Sequence, residues 1–502
     1  MFSPFKINHA GQVYYTNIFL REHHRFARHG KRYVYDVVTM AVQELPEPIG
    51  ELIGRLRLSP GFLIDERSMV ALRQLALVAN EQRDASGGPG SAPPEIAEAP
   101  ERRRPVTRIA LFVAQKCNMK CTYCYGEGGE YSVAGMMKSE TAFAAVDWLI
   151  KNSFTEPKIE IGFFGGEPLL NFKLMQRVTA YARECAAAAG KRVSFSLTTN
   201  GTLMSDSILD FLVAEDINPL VSYDGPYQDR QRPLTSGEGS HARVSANLVK
   251  LKDVFPHTRG RATLTRESDP FEVEKGMEEA GFRTCIISKV APVLSRCEPT
   301  PETSPADMAR SERMIDFTRF KIEKIFDAIK QRSLPEGNPP SILGDLKRMA
   351  NGEKKVHACG VGKDGAGISA SGDIYPCHRF VGLQDMRMGN IGDYDAGELN
   401  DYHRATVDTS PFCSRCWGRY LCGGGCMYEN KAITGDLRRP NPGDCRERLA
   451  AFEDIGHVYA RLDADDWTYI DDVVEHANRR AQAGAAPRRR APADLVRIAG
   501  VV

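Results

Sequence analysis

The stretch that most narrows what this chain can be is Cys117-Asn118-Met119-Lys120-Cys121-Thr122-Tyr123-Cys124. It is a CxxxCxxC triplet set directly after the apolar run Ile109-Ala110-Leu111-Phe112-Val113-Ala114. Three thiolates this close converge on one soft metal centre. Four would close an iron–sulfur cubane, and three leave one iron open to a ligand that is not protein. The competing readings are a three-cysteine zinc site completed from elsewhere and chance clustering. Zinc sites favour CxxC pairs, and chance does not account for the cysteines downstream.

The chain has 502 residues, which suggests roughly two to four domains. Its first residues, Met1-Phe2-Ser3-Pro4-Phe5-Lys6, lack the apolar core of a signal peptide. No run reaches the roughly 18 apolar residues of a membrane span. A cytoplasmic protein without a membrane partner is the expectation. The net charge of +1 shows no nucleic-acid footprint, so no nucleic-acid partner is expected. In the cytoplasm disulfides are disfavoured, so clustered cysteines point to metal. Of the 13 cysteines, three lie at 117–124 and seven at 359–445. Cys185, Cys285 and Cys297 lie outside both groups and read as buried structural thiols.

Residues 1–83 read as a small α+β unit of winged-helix-like pattern. Strands are predicted at 12–19 and 32–38, and short helices near 48–56 and 65–78. A structural extension and a peptide-docking role are both open for it. Residues 84–105 are rich in Gly, Pro and Ser, then charged, and read as a flexible linker. From 106 to 298 the chain alternates predicted strands (108–114, 158–164, 193–198, 219–223, 260–265, 284–288) with amphipathic stretches such as 139–152, 171–189, 205–215 and 269–280. That alternation implies an α/β fold with a parallel sheet and right-handed crossovers, and ligands in such folds sit beyond the C-terminal strand ends. Residues 299–356 form a helical bridge with one long helix at 307–331, 357–450 hold the second cysteine group, and 451–502 carry a helix and a basic tail.

Three further motifs each follow a predicted strand, and Arg261 is a further candidate. In Gly165-Gly166-Glu167-Pro168 the glycines let backbone approach a ligand, and the carboxylate suits an ammonium group. The hydroxyls and amide of Thr198-Thr199-Asn200-Gly201-Thr202 suit a ribose. Ser222-Tyr223-Asp224-Gly225-Pro226 places a polar pair at a strand end. Asp224 is the candidate general base; capping of the Gly225-Pro226 turn is the alternative. Arg261 suits a carboxylate, or a surface ion pair.

These motifs, in this order on a β/α repeat, resemble the radical S-adenosylmethionine (SAM) superfamily over about residues 107–290. The resemblance implies a partial (β/α)6 barrel. In it Cys117, Cys121 and Cys124 hold a 4Fe-4S cluster whose open iron chelates the amino and carboxylate groups of SAM. It places Tyr123 by the adenine and gives the methionine amino group to Gly165, Gly166 and Glu167. Thr199, Asn200, Ser222 and Arg261 complete the expected SAM contacts. One electron would cleave SAM to a 5′-deoxyadenosyl radical that abstracts a substrate hydrogen, the protein holding that radical against one C–H bond and excluding water.

In the second group, 12 residues separate Cys359 from Gly372 and four separate Gly372 from Cys377. Cys413-x2-Cys416-x5-Cys422-x3-Cys426 follows, with 18 residues before Cys445. Seven cysteines so arranged resemble the SPASM extension with two auxiliary 4Fe-4S clusters, for three clusters in all; a pair of zinc knuckles is the alternative. The resemblance gives Cys413, Cys416, Cys422 and Cys445 to the outer cluster, and Cys359, Cys377 and Cys426 to the inner one. Members with a closed inner cluster have an eighth cysteine between the first two, whereas residues 360–376 contain none. Either Asp364 or another oxygen or nitrogen ligand completes the inner cluster, or one iron is open to a substrate thiolate.

The implied activity is post-translational modification of a peptide or small protein that contains cysteine, with flavodoxin or ferredoxin as electron donor. The resemblance reaches furthest toward thioether-forming maturases, such as those that cross-link the small subunit of quinohemoprotein amine dehydrogenase, where sulfur is joined to a carbon of an acidic residue. Carbon–carbon cross-linking and the Cys or Ser oxidation of sulfatase maturation are alternatives. A non-catalytic iron–sulfur carrier is the alternative of a different class, and it would have no need of the Gly-Gly-Glu-Pro motif.

Overall fold

The computed structural model describes residues 4–9, 12–16, 20–58, 63–75, 77–78, 105–291, 305–334, 340–361, 364–394, 402 and 406–483. The expected linker (apart from Pro105), the tail beyond 483 and Cys297 lie outside the described residues.

The chain begins with β1 (Phe5–His9), β2 (Gln12–Thr16), β3 (His23–Arg28), β4 (Lys31–Asp36) and β5 (Val42–Glu44), followed by α1 (Glu47–Leu58), β6 (Ile64–Asp65) and α2 (Glu66–Gln74). They form two antiparallel sheets, β1-β2-β6 and β3-β4-β5. The unit is α+β as expected, with more strands than the composition announces. His23-His24-Arg25-Phe26-Ala27-Arg28 is too basic to read as a strand, and it becomes one by pairing with β4 across the His29-Gly30 turn. Among its side chains only Phe26 is both apolar and buried, 8% exposed.

The central layer follows: β7 (Arg108–Gln115), β8 (Gly135–Met136), α3 (Ser139–Asn152), β9 (Lys158–Gly165), α4 (Phe172–Ala188), β10 (Arg192–Thr199), α5 (Asp206–Ala214), β11 (Leu220–Ser222), α6 (Gln228–Gln231), α7 (His241–Val254), β12 (Arg259–Leu264), α8 (Pro270–Glu279) and β13 (Thr284–Lys289). Strands β7, β9, β10, β11, β12 and β13 are parallel neighbours in that order. β13 ends the sheet and does not return to β7, so the barrel is open. Alternation along β7 sets the two faces. Ile109, Leu111 and Val113 pack with Val146, Leu149, Val178 and Leu212 of the covering helices. Ala110 and Phe112 face the other way, where Tyr131, Tyr375, Phe380 and Tyr428 fill the concave side.

Beyond lie α9 (Pro305–Lys330), α10 (Ser341–Asn351), β14 (Gly365–Ile368), β15 (Asp373–Tyr375), β16 (Gly389–Asn390), α11 (Arg419–Cys422), α12 (Met427–Thr434), α13 (Pro442–Tyr459) and α14 (Ala464–Ala483). β14 pairs in parallel with the first half of β7, Gly365 opposite Arg108, so the second cysteine region extends the same sheet. The C-terminal helices in turn carry the N-terminal sheet. Phe26, Tyr33, Tyr35 and Val42 share a core with Phe326, Ile329, Tyr420, Phe452 and Ile455. Arg28 bridges Asp454 at 2.5 Å and Glu453 at 2.7 Å, while Glu22 receives two bonds from Arg419 at 2.6 and 2.7 Å. His29, Glu323 and His457 bring donor atoms within 4.8 Å of one another. Arg461 Nη1 stands 3.1 Å from His457 Nε2 and 3.2 Å from Glu323, so a guanidinium already supplies the cation there.

Asp454 is 4% exposed and its remaining cation is Arg319 at 3.3 Å. Arg28→Ala should therefore lower stability by about 2–4 kcal/mol in a denaturant titration, the cost of a buried carboxylate losing its better partner. Arg28→Lys should recover less than half, because one ammonium cannot fork to two carboxylates.

Candidate active site

All the motif loops open at one end of the sheet. The Cys117–Cys124 loop follows β7, Gly165-Gly166-Glu167 ends β9, Thr199-Asn200 ends β10 and Ser222 ends β11. The cysteine loop is held by backbone bonds from Lys120 to Pro233 O at 2.8 Å and from Thr122 to Gln231 O at 2.9 Å. Three glycines set its distance from β9. A Cβ on Gly165, whose φ is +128°, would lie 2.1 Å from Ala114 O. One on Gly166 would lie 2.4 Å from Lys116 O, and one on Gly129 2.8 Å from the Cys117 side chain. No other residue fits these positions without moving the loop.

The glutamate of this motif is held by its own fold. Glu167 is fully buried. Its carboxylate accepts from Leu169 N at 3.0 Å, Thr199 Oγ1 at 2.9 Å and Asn200 N at 2.7 Å. Burial pushes its pKa up to about 7, against the pull of these donors. The side chain expected to meet an ammonium group thus ties β9 to β10. Thr199 and Asn200 are likewise 2% and 4% exposed. Asn200 donates to Asn118 Oδ1 at 2.8 Å and approaches Cys117 Sγ at 3.8 Å. Sequence reasoning missed Asn118, although it stands inside the triplet.

Asp224 is also fully buried. It accepts from Tyr123 Oη at 2.7 Å and from Thr263 N at 3.0 Å. Its side chain makes no cap on the Gly225-Pro226 turn. The turn therefore forms without the side-chain cap. Burial raises its pKa and the charge of Arg232 opposes the rise. Arg232 Nη1 donates to Tyr123 Oη at 2.6 Å. Asp224 and Arg232 thus fix the tyrosine between two motif cysteines. Arg232 had no sequence signal, because it lies in a short connection without a motif. Ser222 and Arg261 are opposite one another on β11 and β12 and both remain partly exposed. Among the described residues Arg261 has no ion pair; burial and the neighbouring Arg379 lower its pKa.

The ten motif cysteines are free thiols in three spatial groups. Cys117 feels the charges of Cys121 and Cys124, Cys377 those of Cys426 and Cys359, and Cys445 those of Cys422, Cys416 and Cys413. Burial pushes Cys117, Cys377 and Cys445 each up to about 12, a range in which a thiol becomes thiolate only against a cation. A mononuclear zinc with Zn–S of about 2.3 Å would draw its sulfurs to about 3.8 Å from one another. No three described cysteine sulfurs lie within 4.8 Å of each other. The wider spacing suits a multi-iron cluster. Cys413, Cys416, Cys422 and Cys445 line a cavity of about 70 Å³. Asp364, a candidate fourth ligand of the inner set, has both oxygens on Arg108 Nη2, at 2.9 and 3.0 Å.

Comparison with known proteins decides the family. The model of the radical SAM superfamily matches residues 111–275. A serine-type anaerobic sulfatase-maturating enzyme of Bacteroides thetaiotaomicron is 30% identical over 378 residues, spanning 66% of this chain and 85% of that protein. The chain belongs to the radical SAM superfamily. A cysteine-type anaerobic sulfatase-maturating enzyme of Clostridium perfringens is 24% identical over 343 residues, 64% of this chain and 89% of that one. The solved structure of native anSMEcpe with bound AdoMet superposes with a TM-score of 0.57 at 19% identity, covering 71% of this chain and 100% of that chain, and shares its fold. Membership brings a 4Fe-4S cluster and SAM to this radical SAM enzyme. Among the described residues no helix is long and apolar enough to cross a membrane.

Asp224→Asn tests the positioning role. An amide cannot accept from both Tyr123 and Thr263 while matching Arg232, so the cysteine loop loosens. SAM cleavage without any peptide should fall at least about tenfold, the effect of about 1.4 kcal/mol. A base that acts only on substrate would leave peptide-free cleavage intact.

Proposed function

We propose that this enzyme is a SPASM-type peptide maturase that joins the sulfur of a substrate cysteine to a carbon of another residue in the same peptide. The peptide class follows from the relatives, whose names describe the maturation of sulfatases. The thioether follows from the inner cysteine set. It has three thiols, no cysteine in 360–376, and an Asp364 carboxylate already matched to Arg108. That leaves a place for one thiolate from outside.

When bound, the cofactors would supply one-electron cleavage of SAM, the radical that takes one hydrogen atom from carbon, and an acceptor for the electron released as the carbon–sulfur bond forms. Cys117, Cys121 and Cys124 would hold the SAM cluster. Cys359, Cys377 and Cys426 would hold the inner auxiliary cluster, and Cys413, Cys416, Cys422 and Cys445 the outer one. The backbone of Gly165 and Gly166 would seat the methionyl amino group, with Ser222 and Arg261 on its carboxylate. Tyr125, Tyr131, Phe380 and Tyr428 form the apolar wall that would exclude water from the reacting centre. Arg379 is fixed by Glu429 at 2.6 Å on the same side and would orient an acidic substrate residue. His378 lies beside Phe164 with ring centroids 4.9 Å apart; burial lowers its pKa to about 3, so it enters this wall as a neutral group.

The names of the relatives favour a second reading, oxidation of a Cys or Ser as in sulfatase maturation. That reaction needs no sulfur ligand.

Reconstituted protein should carry about 12 irons, four per cluster. Replacing Cys117, Cys121 and Cys124 together by alanine should remove about four of them and all SAM cleavage. With the reduced enzyme, a cysteine peptide should change the paramagnetic signal of the inner cluster and its serine counterpart should not. Equal spectra with both peptides bound would move the assignment to the oxidase reading.

A further inference from the structure

Arg448 stands on α13, three residues after Cys445, a spacing that puts both on one face of the helix. It lines the cavity shared by Cys413, Cys416, Cys422 and Cys445. It also lines the adjoining cleft with Lys289, Arg379, Glu429 and Asp444. Among nearby charges, Cys422 of the outer set acts on it most strongly, and Cys426 of the inner set also reaches it.

The acids around it each hold a closer cation, although Asp444 and Glu447 share Lys289. Asp444 binds Lys289 at 2.7 Å, Glu429 binds Arg379 at 2.6 Å, and Asp345 binds Arg348 at 2.6 Å. Among the described residues the Arg448 side chain has no ion pair and no hydrogen bond. It is only partly exposed. A guanidinium does not lose its proton in a protein, so a charge stands at the cavity wall with no direct partner, balanced on its cleft side only by the fields of Asp444 and Glu429. Such a charge is costly unless an anion fills the space it faces.

We infer that Arg448 is the counter-charge of the outer auxiliary cluster and sets its reduction potential above that of the same cluster without the cation. The inference rests on the three-cluster reading. A cluster held by four thiolates is an anion, and reduction adds one more negative charge. A fixed cation against the cage therefore favours the reduced form, since potential follows net charge and surroundings. Arginine suits the place better than lysine because its charge is spread over a plane and is weakly hydrated. Helix α13 delivers ligand and counter-charge together, so the one cannot be seated without the other.

The test is a redox titration with dithionite and mediators, followed by electron paramagnetic resonance. It uses full-length protein with Cys117, Cys121 and Cys124 replaced by alanine, so that only the auxiliary clusters report. Adding Arg448→Gln should move one of the two midpoint potentials negative and the other by much less. Arg448→Lys should move the same one by less. Unchanged potentials in Arg448→Gln, with about eight irons retained, overturn the inference. Should Arg448→Gln lose iron, Arg448→Lys decides: retention supports a role of charge, and equal loss overturns it. About four irons in the parent instead of about eight overturns the three-cluster reading, and the inference with it.

Discussion

The mouth of this sheet depends on a contact that no side chain makes. Gly165 and Gly166 bring the end of β9 against the carbonyls of Ala114 and Lys116, and Gly129 closes the same gap from the far side of the cysteine loop. The spacing of β7 and β9 is fixed by the ladder, so the only freedom left is the size of what lies between them. With hydrogen as the side chain, Cys117 sits directly over the strand end. With a methyl group the loop would have to rise by more than an ångström.

Around this contact the chain uses its acids as fasteners. Glu167 gathers three donors from β10 and its own loop, and Asp224 gathers Tyr123 and the backbone of β12. Each joins neighbouring strand ends and has no surface left for solvent. A buried carboxylate so satisfied is a rigid strut. Ser222, Arg261, Arg379 and His378 stay partly exposed at the mouth.

Much of this could be read in advance. The six parallel strands and the helices at 139–152, 172–188 and 270–279 follow from apolar period alone, because sheet and helices bury one face each. The motif residues were legible by type, and those that follow β7, β9, β10 and β11 lie at the strand ends where they were expected. Their orientation was not legible. Whether the Glu167 carboxylate points into the site or beneath it depends on donors 32 and 33 residues away at Thr199 and Asn200. Asp224 depends on Arg232, which has no local signature. The strand at His23–Arg28 was hidden for a similar reason, since its partners are Glu453, Asp454 and Trp417.

The pairing of β14 with β7 has a temporal side. Arg108 and Asp364 are 256 residues apart in the chain. At about 5–20 residues per second, β7 emerges from the ribosome some tens of seconds before the strand that covers its free edge. Through that interval the nascent chain carries an apolar parallel strand with an open row of amides, the kind of edge that recruits foreign strands. The cysteines of the first loop follow that strand directly. The edge is closed only when Gly365–Ile368 arrives to pair with it.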